Sequence, residues 1–337
     1  MKLGLFMNTH GIGASVDNQW TLQPLEAERM RVAEMAVRAE SAGFDSLWFS
    51  DHVLMAPSPE SFHFAADPVD GTRAYPTSPD MIDAMVAMSV CAQATKRVRL
   101  ATSVWIPSYR HPLHDVRQFS SLDQLSDGRF VLGVGAGWMK EEFEALGVPY
   151  SERITRTEEA CEIYKRSWSD EVVDHHGDHY SFSGIRMNPK PLQKPRPRMY
   201  YGGVTKRGAR LAAEHCDGFY PTFTDSRATA DRYGDLIAQL PQMLDSAGTR
   251  VEDFSLLCVL SARIEEAEDD LGFGKGPVNK VMEDLSALAE QGFSLVVLHL
   301  DTRNGDFDEW QRQLDLFGDL IVDPVAEIRA TGDWQPA

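Results

Sequence analysis

Short apolar segments alternate along the chain with longer segments in which apolar residues recur at helical spacing. The first apolar run, 3–7, is followed after a polar loop by a helical pattern over 24–42. Gly43 ends that pattern, as glycine often does where a helix finishes in the left-handed conformation. A second apolar run, 46–50, follows directly. The pattern predicts a strand, a helix and another strand.

The same succession repeats, so that eight strand–helix units are predicted. The predicted strands are 3–7, 46–50, 98–106, 130–134, 199–203, 217–221, 254–262 and 293–300. The predicted helices are 24–42, 80–95, 113–126, 150–167, 206–215, 226–247, 277–291 and a last one that begins near Asp308. Most of the strands are apolar throughout, which indicates burial on both faces and hence a parallel sheet. Eight such units favour an α/β fold of the closed (β/α)8 (TIM) barrel type, with an open doubly wound sheet as the alternative.

Two stretches are longer than a minimal barrel requires. Residues 53–79, rich in Pro, Ser, His and Phe, follow the second predicted strand and are a candidate lid on the catalytic face. Residues 168–197 lie between a predicted helix and the next strand, where we expect them to wrap the barrel exterior or to form a small hairpin. No domain boundary is visible, so the chain 1–337 is predicted to be a single barrel domain with these two insertions.

Composition and charge restrict the class of protein. The chain is 43% hydrophobic and 25% charged, as is usual for a globular protein, and its formal net charge is −18. Such an acidic balance argues against binding to nucleic acid or to an anionic membrane. No apolar stretch approaches the ~18 residues of a membrane span, and the first apolar run is too short for a signal peptide. We therefore expect a cytoplasmic protein with buried free thiols at its cysteines, Cys91, Cys161, Cys216 and Cys258.

Candidate chemistry lies at the C-terminal ends of the predicted strands, because that face of a barrel holds the active site. These strand ends carry Asn8, Asp51, His52, Thr102, Ser103, Val104, Gly135, Ala136, Gly137, Trp138, Gly202, Gly203, Thr222 and His299. His52 is the one with an obvious acid–base role, since the ordinary pKa of histidine lies near neutrality. The alternative is a histidine that is hydrogen-bonded at a strand end for packing.

Two glycine-rich turns are candidate cofactor sites. Residues 133–137 resemble a phosphate-binding turn, but Trp138 breaks the dinucleotide pattern, and these glycines suit the approach of a flat ring or tight packing. Gly202 and Gly203 precede a predicted helix, whose N-terminal N–H groups and dipole favour an anion. Lys206, Arg207 and Arg210 would add positive charge there or face solvent.

Two further clusters have plainer interpretations. The histidines within 174–179 match no ligand spacing and are interpreted as a solvated turn, so no metal site is predicted. Glu141 and Glu142 are interpreted as acidic residues at a helix start, where they favour the helix dipole.

Several motifs resemble one family along nearly the whole chain. They are GFDSLWFSDH (43–52), RLATSV (99–104), GRFVLGVGAGW (128–138) and KPLQKP (190–195). Together they resemble the luciferase-like monooxygenase superfamily and, more narrowly, its deazaflavin (coenzyme F420)-dependent oxidoreductases. The resemblance implies a (β/α)8 barrel, usually a homodimer through helices beside the early strands.

The resemblance also implies how a cofactor would bind. The ring would lie in the barrel mouth against a bulge at Ser103–Val104, which in this family often contains a non-prolyl cis peptide, and Gly202–Gly203 would hold the phosphate. Asp51 and His52 would lie near the ring, with His52 as the catalytic residue. The cofactor-binding residues that we expect are Asp51, His52, Thr102, Ser103, Val104, Gly135, Ala136, Gly137, Trp138, Gly202, Gly203 and Thr222.

The function implied is F420-dependent hydride transfer between the deazaflavin and a small hydrophobic or flat organic substrate. The alternative is an FMNH2-dependent monooxygenase that uses oxygen and a separate flavin reductase, and a barrel that binds a ligand without turnover is the third hypothesis. In the family's sugar-phosphate dehydrogenases, an acidic catalytic residue stands where this chain has Trp138. That difference disfavours glucose-6-phosphate as a substrate.

Overall fold

A computed structural model describes residues 1–16, 19–56, 61, 80–223, 227–266 and 271–328. Its strands, in chain order, are β1 (Lys2–Phe6), β2 (Ile12–Val16), β3 (Gln19–Gln23), β4 (Ser46–Phe49), β5 (Arg99–Thr102), β6 (Phe130–Val134), β7 (Val173–His176), β8 (Ser181–Ile185), β9 (Met199–Gly202), β10 (Gly218–Tyr220), β11 (Thr222–Phe223), β12 (Ser255–Ile264), β13 (Lys275–Gly276) and β14 (Leu295–Thr302).

The helices follow the strands along the chain, as the periodicity predicts. They are α1 (Val32–Ser41), α2 (Ala84–Ala94), α3 (Pro112–Leu125), α4 (Lys140–Ala145), α5 (Arg153–Ser169), α6 (Lys206–His215), α7 (Arg227–Ala238), α8 (Leu240–Ala247), α9 (Val278–Glu290), α10 (Phe307–Phe317) and α11 (Asp323–Ala326). A π-helical turn, Gly318–Val322, joins the last two. None of the helices described is long and apolar enough to cross a bilayer.

Eight parallel strands close into a barrel. Neighbours pair in the order β1, β4, β5, β6, β9, β10, β12, β14 and back to β1. Each predicted apolar run overlaps one of these strands, so the predicted (β/α)8 barrel is confirmed. Because all eight run the same way, their C-terminal ends meet at one mouth.

The barrel interior is filled by side chains from alternate strand positions. This cluster contains Phe6, Trp48, Ala101, Val131, Tyr200, Tyr220, Leu257, Val259, Leu295 and Val297. The larger core cluster lies between the strands and the outer helices. A strand whose residues alternate between two apolar layers is apolar throughout, which is the pattern seen in the sequence.

The structure departs from the predicted elements mainly in four places. The polar loop before α1 contains a hairpin, β2–β3, and β2 pairs with the end of β14. The helix predicted over 24–42 begins only at Val32, after Arg31 in the left-handed conformation. The helix predicted over 226–247 is divided into α7 and α8, with a proline at the start of α8. The strand predicted over 98–106 ends at Thr102, where the chain enters a bulge.

The two predicted insertions have different outcomes. Residues 168–197 form the antiparallel hairpin β7–β8 and then run along α3, where Asp123 accepts hydrogen bonds from Leu192 and Gln193. Of the two alternatives for this segment, the small hairpin is present, and the part after it lies against α3. Most of 53–79 lies outside the described residues, and its role as a lid stays a prediction. All four cysteines are free and buried, as expected.

Candidate active site at the barrel mouth

The C-terminal ends of β4, β5, β6 and β9 bring most of the predicted residues together. His52 follows β4, and its Nδ1 lies 3.0 Å from Oε2 of Glu142 on α4. The His52 side chain is 11% exposed and that of Glu142 is fully buried. The catalytic candidate is therefore held by a carboxylate that is 90 residues away in the chain.

Glu142 is fixed by three further hydrogen bonds. Its Oε1 accepts from the backbone N–H groups of Val53, at 2.8 Å, and Leu54, at 3.3 Å. Its Oε2 accepts from the hydroxyl of Tyr109, at 2.6 Å. Since both oxygens are occupied by donors, the carboxylate is stabilised as an anion despite its burial.

The charges of this pair support each other. Burial alone would lower the pKa of His52, but the hydrogen bond and charge of Glu142, together with the charge of Asp51, outweigh it and raise the pKa above the ordinary value of 6.5. Burial alone would raise the pKa of Glu142, but the hydrogen bonds and charge from His52 and Tyr109 lower it below 4.5. An ionised Glu142 can only accept, so Nδ1 of His52 carries the proton and Nε2 is the atom whose protonation changes.

Asp51 belongs to the layer beneath the mouth. Its carboxylate makes a bidentate pair with Arg110, at 2.6 and 2.7 Å, and accepts from the backbone N–H of Ile106, at 3.0 Å. The Arg110 guanidinium lies over the ring of Trp105, at 3.9 Å from its centroid. Adjacent residues at a strand end point in opposite directions, so His52 faces the mouth while Asp51 braces the segment after β5. Its contact with a cofactor stays a prediction.

The bulge after β5 has the expected form. The peptide bond between Ser103 and Val104 is cis. Ser103 donates its backbone N–H to Phe49, and its hydroxyl lies 2.9 Å from that of Tyr220. Thr102 is buried, and its hydroxyl bridges to the backbone of Gly133. Thr102 therefore joins β5 to β6, and its contact with a cofactor also stays a prediction.

The two strand-end glycines make room for Val104. A Cβ at Gly135 would lie 2.4 Å from one Val104 methyl group, and a Cβ at Gly202 would lie 2.4 Å from the other. The sequence suggested that the glycines of 133–137 let a ring approach the backbone or serve close packing, and that Gly202 belongs to an anion site. The described contacts support close packing, with Val104 itself half-exposed at the mouth.

Trp138 stands at the rim beside His52. Their ring centroids are 6.1 Å apart with an edge-to-face geometry. Ala136 and Gly137 precede it, and Gly137 has a φ of +81°, which turns the chain away from β6 toward α4. The Trp138 carbonyl accepts from the hydroxyl of Tyr150 at 3.0 Å. The site thus places an aromatic ring beside His52.

The predicted anion site lies at the start of α6. Thr205 caps this ten-residue helix by accepting from the N–H of Gly208, at 3.0 Å. The N–H groups of Lys206 and Arg207 stand in the first turn, where no helical partner exists. Gly203 itself donates to the carbonyl of Tyr220, at 3.3 Å, so the first turn of α6 is the better anion site than the glycine. Only the backbone of Thr222 is described, in β11.

The histidines within 174–179 lie away from the mouth, on the hairpin and its turn. His175 pairs with Glu159 at 2.8 Å, His176 lies 2.9 Å from the hydroxyl of Ser181, and His179 contacts Thr155. Each imidazole thus takes part in holding the hairpin. These contacts give the cluster a structural role, although His175 is buried rather than solvated.

Sequence reasoning missed Glu142, Tyr109 and Arg110. The interpretation of Glu142 as a favourable charge in the first turn of a helix is correct for its position in α4 but incomplete for its role. The sequence did contain a signal, since Glu142 directly precedes Phe143, an apolar residue that must pack inward from a short helix. Burial of that carboxylate requires a partner, and His52 is that partner.

A family model described as luciferase-like monooxygenase matches residues 1–322. The chain belongs to this family. The crystal structure of the monooxygenase RslO1 from Streptomyces bottropensis is similar to this fold, with a TM-score of 0.73 at 20% sequence identity. The alignment covers 96% of this chain and 99% of that one. At that identity the likeness shows the common fold.

Two relatives differ in the cofactor that their names give. The FMNH2-dependent dimethylsulfone monooxygenase of Pseudomonas putida is 28% identical over 162 residues, which is 47% of this chain and 44% of that protein. The F420-dependent glucose-6-phosphate dehydrogenase of Amycolatopsis mediterranei is 30% identical over 227 residues, 66% of this chain and 61% of that protein. The matches thus span less than two thirds of either relative. Luciferase-like relatives of this chain are oxidoreductases that use one or the other flavin-type cofactor.

Proposed function

We propose that this protein is an F420-dependent oxidoreductase that exchanges a hydride with a small organic carbonyl compound or the corresponding alcohol. The observation that carries the proposal is the His52 and Glu142 pair, which places a proton donor and acceptor at the mouth. Hydride transfer to a carbonyl carbon needs a proton for the carbonyl oxygen, and a histidine of raised pKa can supply it.

The residues at the mouth fit a deazaflavin or flavin. Val104 extends its side chain from the bulge, and Gly135 and Gly202 leave room for it because neither carries a Cβ atom. The first turn of α6 offers backbone N–H groups and the exposed cations Lys206 and Arg207 for a phosphate. When bound there, the deazaflavin would supply or accept the hydride.

The chain's own residues would manage the proton. In reduction, the C–O π bond of the substrate breaks as the hydride adds to carbon, and its oxygen takes the proton from Nε2 of His52. In oxidation, Nε2 takes the hydroxyl proton back. Glu142 keeps the other proton on Nδ1 and stabilises the imidazolium that forms. The ring of Trp138 packs edge-to-face with that of His52 and adds apolar surface beside the imidazole.

An FMNH2-dependent monooxygenase is the second candidate. It is supported by the similarity to the dimethylsulfone monooxygenase. That function would require oxygen and a separate flavin reductase as a partner.

Parallel titrations of the purified protein with F420 and with FMN test the choice of cofactor. Quenching of tryptophan fluorescence is a suitable readout, because Trp48, Trp105 and Trp138 lie in or near the mouth. We expect F420 to bind in the micromolar range or tighter and FMN to bind more weakly. Tighter binding of FMN, with oxygen consumption in the presence of a flavin reductase, would replace this proposal with the second candidate.

We also propose that the protein is a homodimer in the cytoplasm. The family resemblance supports a dimer formed by helices beside the early strands. Exposed apolar residues on α1 and α2, Val37, Val86 and Val90, agree with this face. Sedimentation or light scattering at several protein concentrations would test it, and a monomer at all concentrations would refute it.

A further inference from the structure

Five aromatic side chains form a continuous row in the mouth. The ring centroids of His299 and Phe6 are 4.8 Å apart, those of Phe6 and His10 are 5.8 Å apart, and those of His10 and His52 are 6.3 Å apart. His52 is in turn 6.1 Å from Trp138. These residues come from β14 and from the ends of β1, β4 and β6, and the first three of these strands are adjacent in the barrel.

The row runs from the floor of the mouth to its rim. Phe6, His10 and His299 are buried, whereas Trp138 is half-buried. The bulge follows β5 and the anion site follows β9, so the row mainly occupies the other side of the mouth. His52 belongs to the row and also carries the proton. A molecule on these rings would therefore lie beside the place assigned to the cofactor and within reach of the proton donor.

The inner part of the row is uncharged near neutral pH. Burial lowers the pKa of His10 to about 3 and the pKa of His299 to about 4. Both imidazoles are then neutral aromatic rings, like that of Phe6. Among the residues that the structure describes, the inner row thus offers aromatic side chains and no cation to an anionic group.

On the side of the mouth that holds the row, away from Lys206 and Arg207, the described cations are matched by carboxylates. Nζ of Lys275 lies 3.0 Å from Asp301, and Nε of Arg263 lies 2.8 Å from Glu265. The Arg110 guanidinium is held by the carboxylate of Asp51 beneath the bulge, and the imidazole of His52 is paired with Glu142. An anionic substrate group would have to break one of these pairs or remain unpaired, and either outcome costs free energy in a buried setting.

We propose that this row of rings is the substrate wall, and that the substrate is an uncharged cyclic or aromatic ketone or aldehyde, or its alcohol, rather than a carboxylic acid or a phosphate ester. The inference deepens the proposed function and rests on it for the carbonyl group. The preference for an uncharged ring follows from the aromatic wall alone. Flat rings pack against aromatic faces and edges at little cost in ordering, whereas a buried carboxylate without a partner is disfavoured.

Binding to the cofactor-free protein tests the wall without relying on turnover. Acetophenone is the neutral probe, and benzoate and phenyl phosphate are the anionic probes of similar size, compared by calorimetry and by saturation-transfer NMR at neutral pH. We expect acetophenone to bind at least about tenfold more tightly than either anion. Equal or tighter binding of an anion, or no measurable binding of acetophenone, would overturn the proposal.

Two variants at the rim give a matched comparison. Trp138→Phe keeps a ring in the row and should keep the affinity for acetophenone within about threefold. Trp138→Glu places a charge on the row and should weaken acetophenone binding by about tenfold, with far-UV circular dichroism confirming the fold. An unchanged affinity in Trp138→Glu would refute the wall. If the probes behave as expected and F420-linked turnover of ketones is absent, the proposed function fails while the wall stands.

Discussion

Replacing Glu142 by glutamine keeps the size of the side chain and removes its charge. In the native protein Oε1 accepts from the backbone N–H groups of Val53 and Leu54, and Oε2 faces His52 and Tyr109. Backbone N–H groups can only donate, so the oxygen of Gln in the Glu142→Gln variant should remain on them. Its NH2 group would then face His52.

The amide inverts the protonation of the imidazole. Because the NH2 group donates, Nδ1 of His52 must accept, and the neutral ring carries its proton on Nε2. The variant therefore lacks a base at Nε2 for oxidation of an alcohol. It also lacks the charge that stabilises the imidazolium. The pKa of His52 should therefore fall below its native value, because burial lowers this pKa and the charge of Glu142 no longer raises it.

General acid–base groups contribute about 10²- to 10⁴-fold to turnover, and we expect the Glu142→Gln variant to lose about 100-fold in kcat for alcohol oxidation. KM should stay within about threefold, because the lost interaction acts on the proton in transfer rather than on bound substrate. The limb of the kcat/KM profile that reports His52 should move to lower pH.

The pair also contributes to stability within a defined pH window. The pKa of His52 is raised from 6.5, so its contribution is fully present below about 6.5 and is lost as the pH rises through the folded-state value. The pKa of Glu142 is lowered from 4.5, so its contribution is present above about 4.5 and is lost as the pH falls through the folded-state value. The free energy of unfolding should therefore differ most between wild type and Glu142→Gln at about pH 5.5, by about 1–3 kcal/mol.

The assays are pH profiles of kcat and kcat/KM, and urea unfolding at several pH values. Tyr109→Phe is the matched control, because it removes one hydrogen bond to the carboxylate and keeps its charge. This control should lose about 1–2 kcal/mol of stability while the His52 limb stays in place. A Glu142→Gln variant with wild-type kcat and an unmoved limb would refute the reasoning.

Three further outcomes are expected. His52→Ala should lower turnover at least about 100-fold and keep cofactor affinity, measured by titration, within about tenfold; unchanged turnover would remove His52 from the mechanism. Gly203→Val should weaken cofactor binding by about tenfold, because its Cβ would lie 2.9 Å from the Tyr201 ring beside the phosphate turn; wild-type affinity would move the phosphate elsewhere. Burial raises the pKa of Asp115 to about 7, so between about pH 4 and 7 the folded state keeps a proton that the unfolded chain releases. Wild type should therefore lose stability relative to Asp115→Asn as the pH rises from about 4 to about 7. Urea unfolding at several pH values would detect this loss.

The barrel was predictable because its strands are apolar throughout and glycines mark the ends of several helices. The hairpin β2–β3 was missed although its signal is present, since Ile12, Ala14 and Val16 alternate with small residues, as in a half-buried strand. The strand predicted over 98–106 was too long, because its apolar composition continues through the bulge. The hydrophobic pattern indicates which residues are buried. A bulge between two buried segments is itself apolar, so the pattern does not show where the strand ends.

The part of the site that could be predicted is the part at the C-terminal ends of the strands, because that face of a barrel holds the active site. That rule gave His52, Ser103 and Val104, each at the end of a strand. It could not give Glu142, because its partnership with His52 joins residues 90 positions apart and depends on which face of α4 is buried. Close packing at Gly135 was one of the two alternatives, but the sequence could not identify Val104 as its partner, since Val104 follows another strand.

The segment after the bulge connects the two layers of the site. Tyr109 donates to Glu142, which holds His52, and the next residue, Arg110, holds Asp51. Neighbouring residues on this segment thus fix neighbouring residues after β4: His52, which we propose transfers the proton, and Asp51, which supports the segment beneath the mouth. A displacement of this segment would disturb the orientation of His52 and the bulge together. This arrangement explains why a barrel whose strand ends are fixed still needs buried charges: the strands bring the residues together, and the ion pairs set the orientation that the chemistry requires.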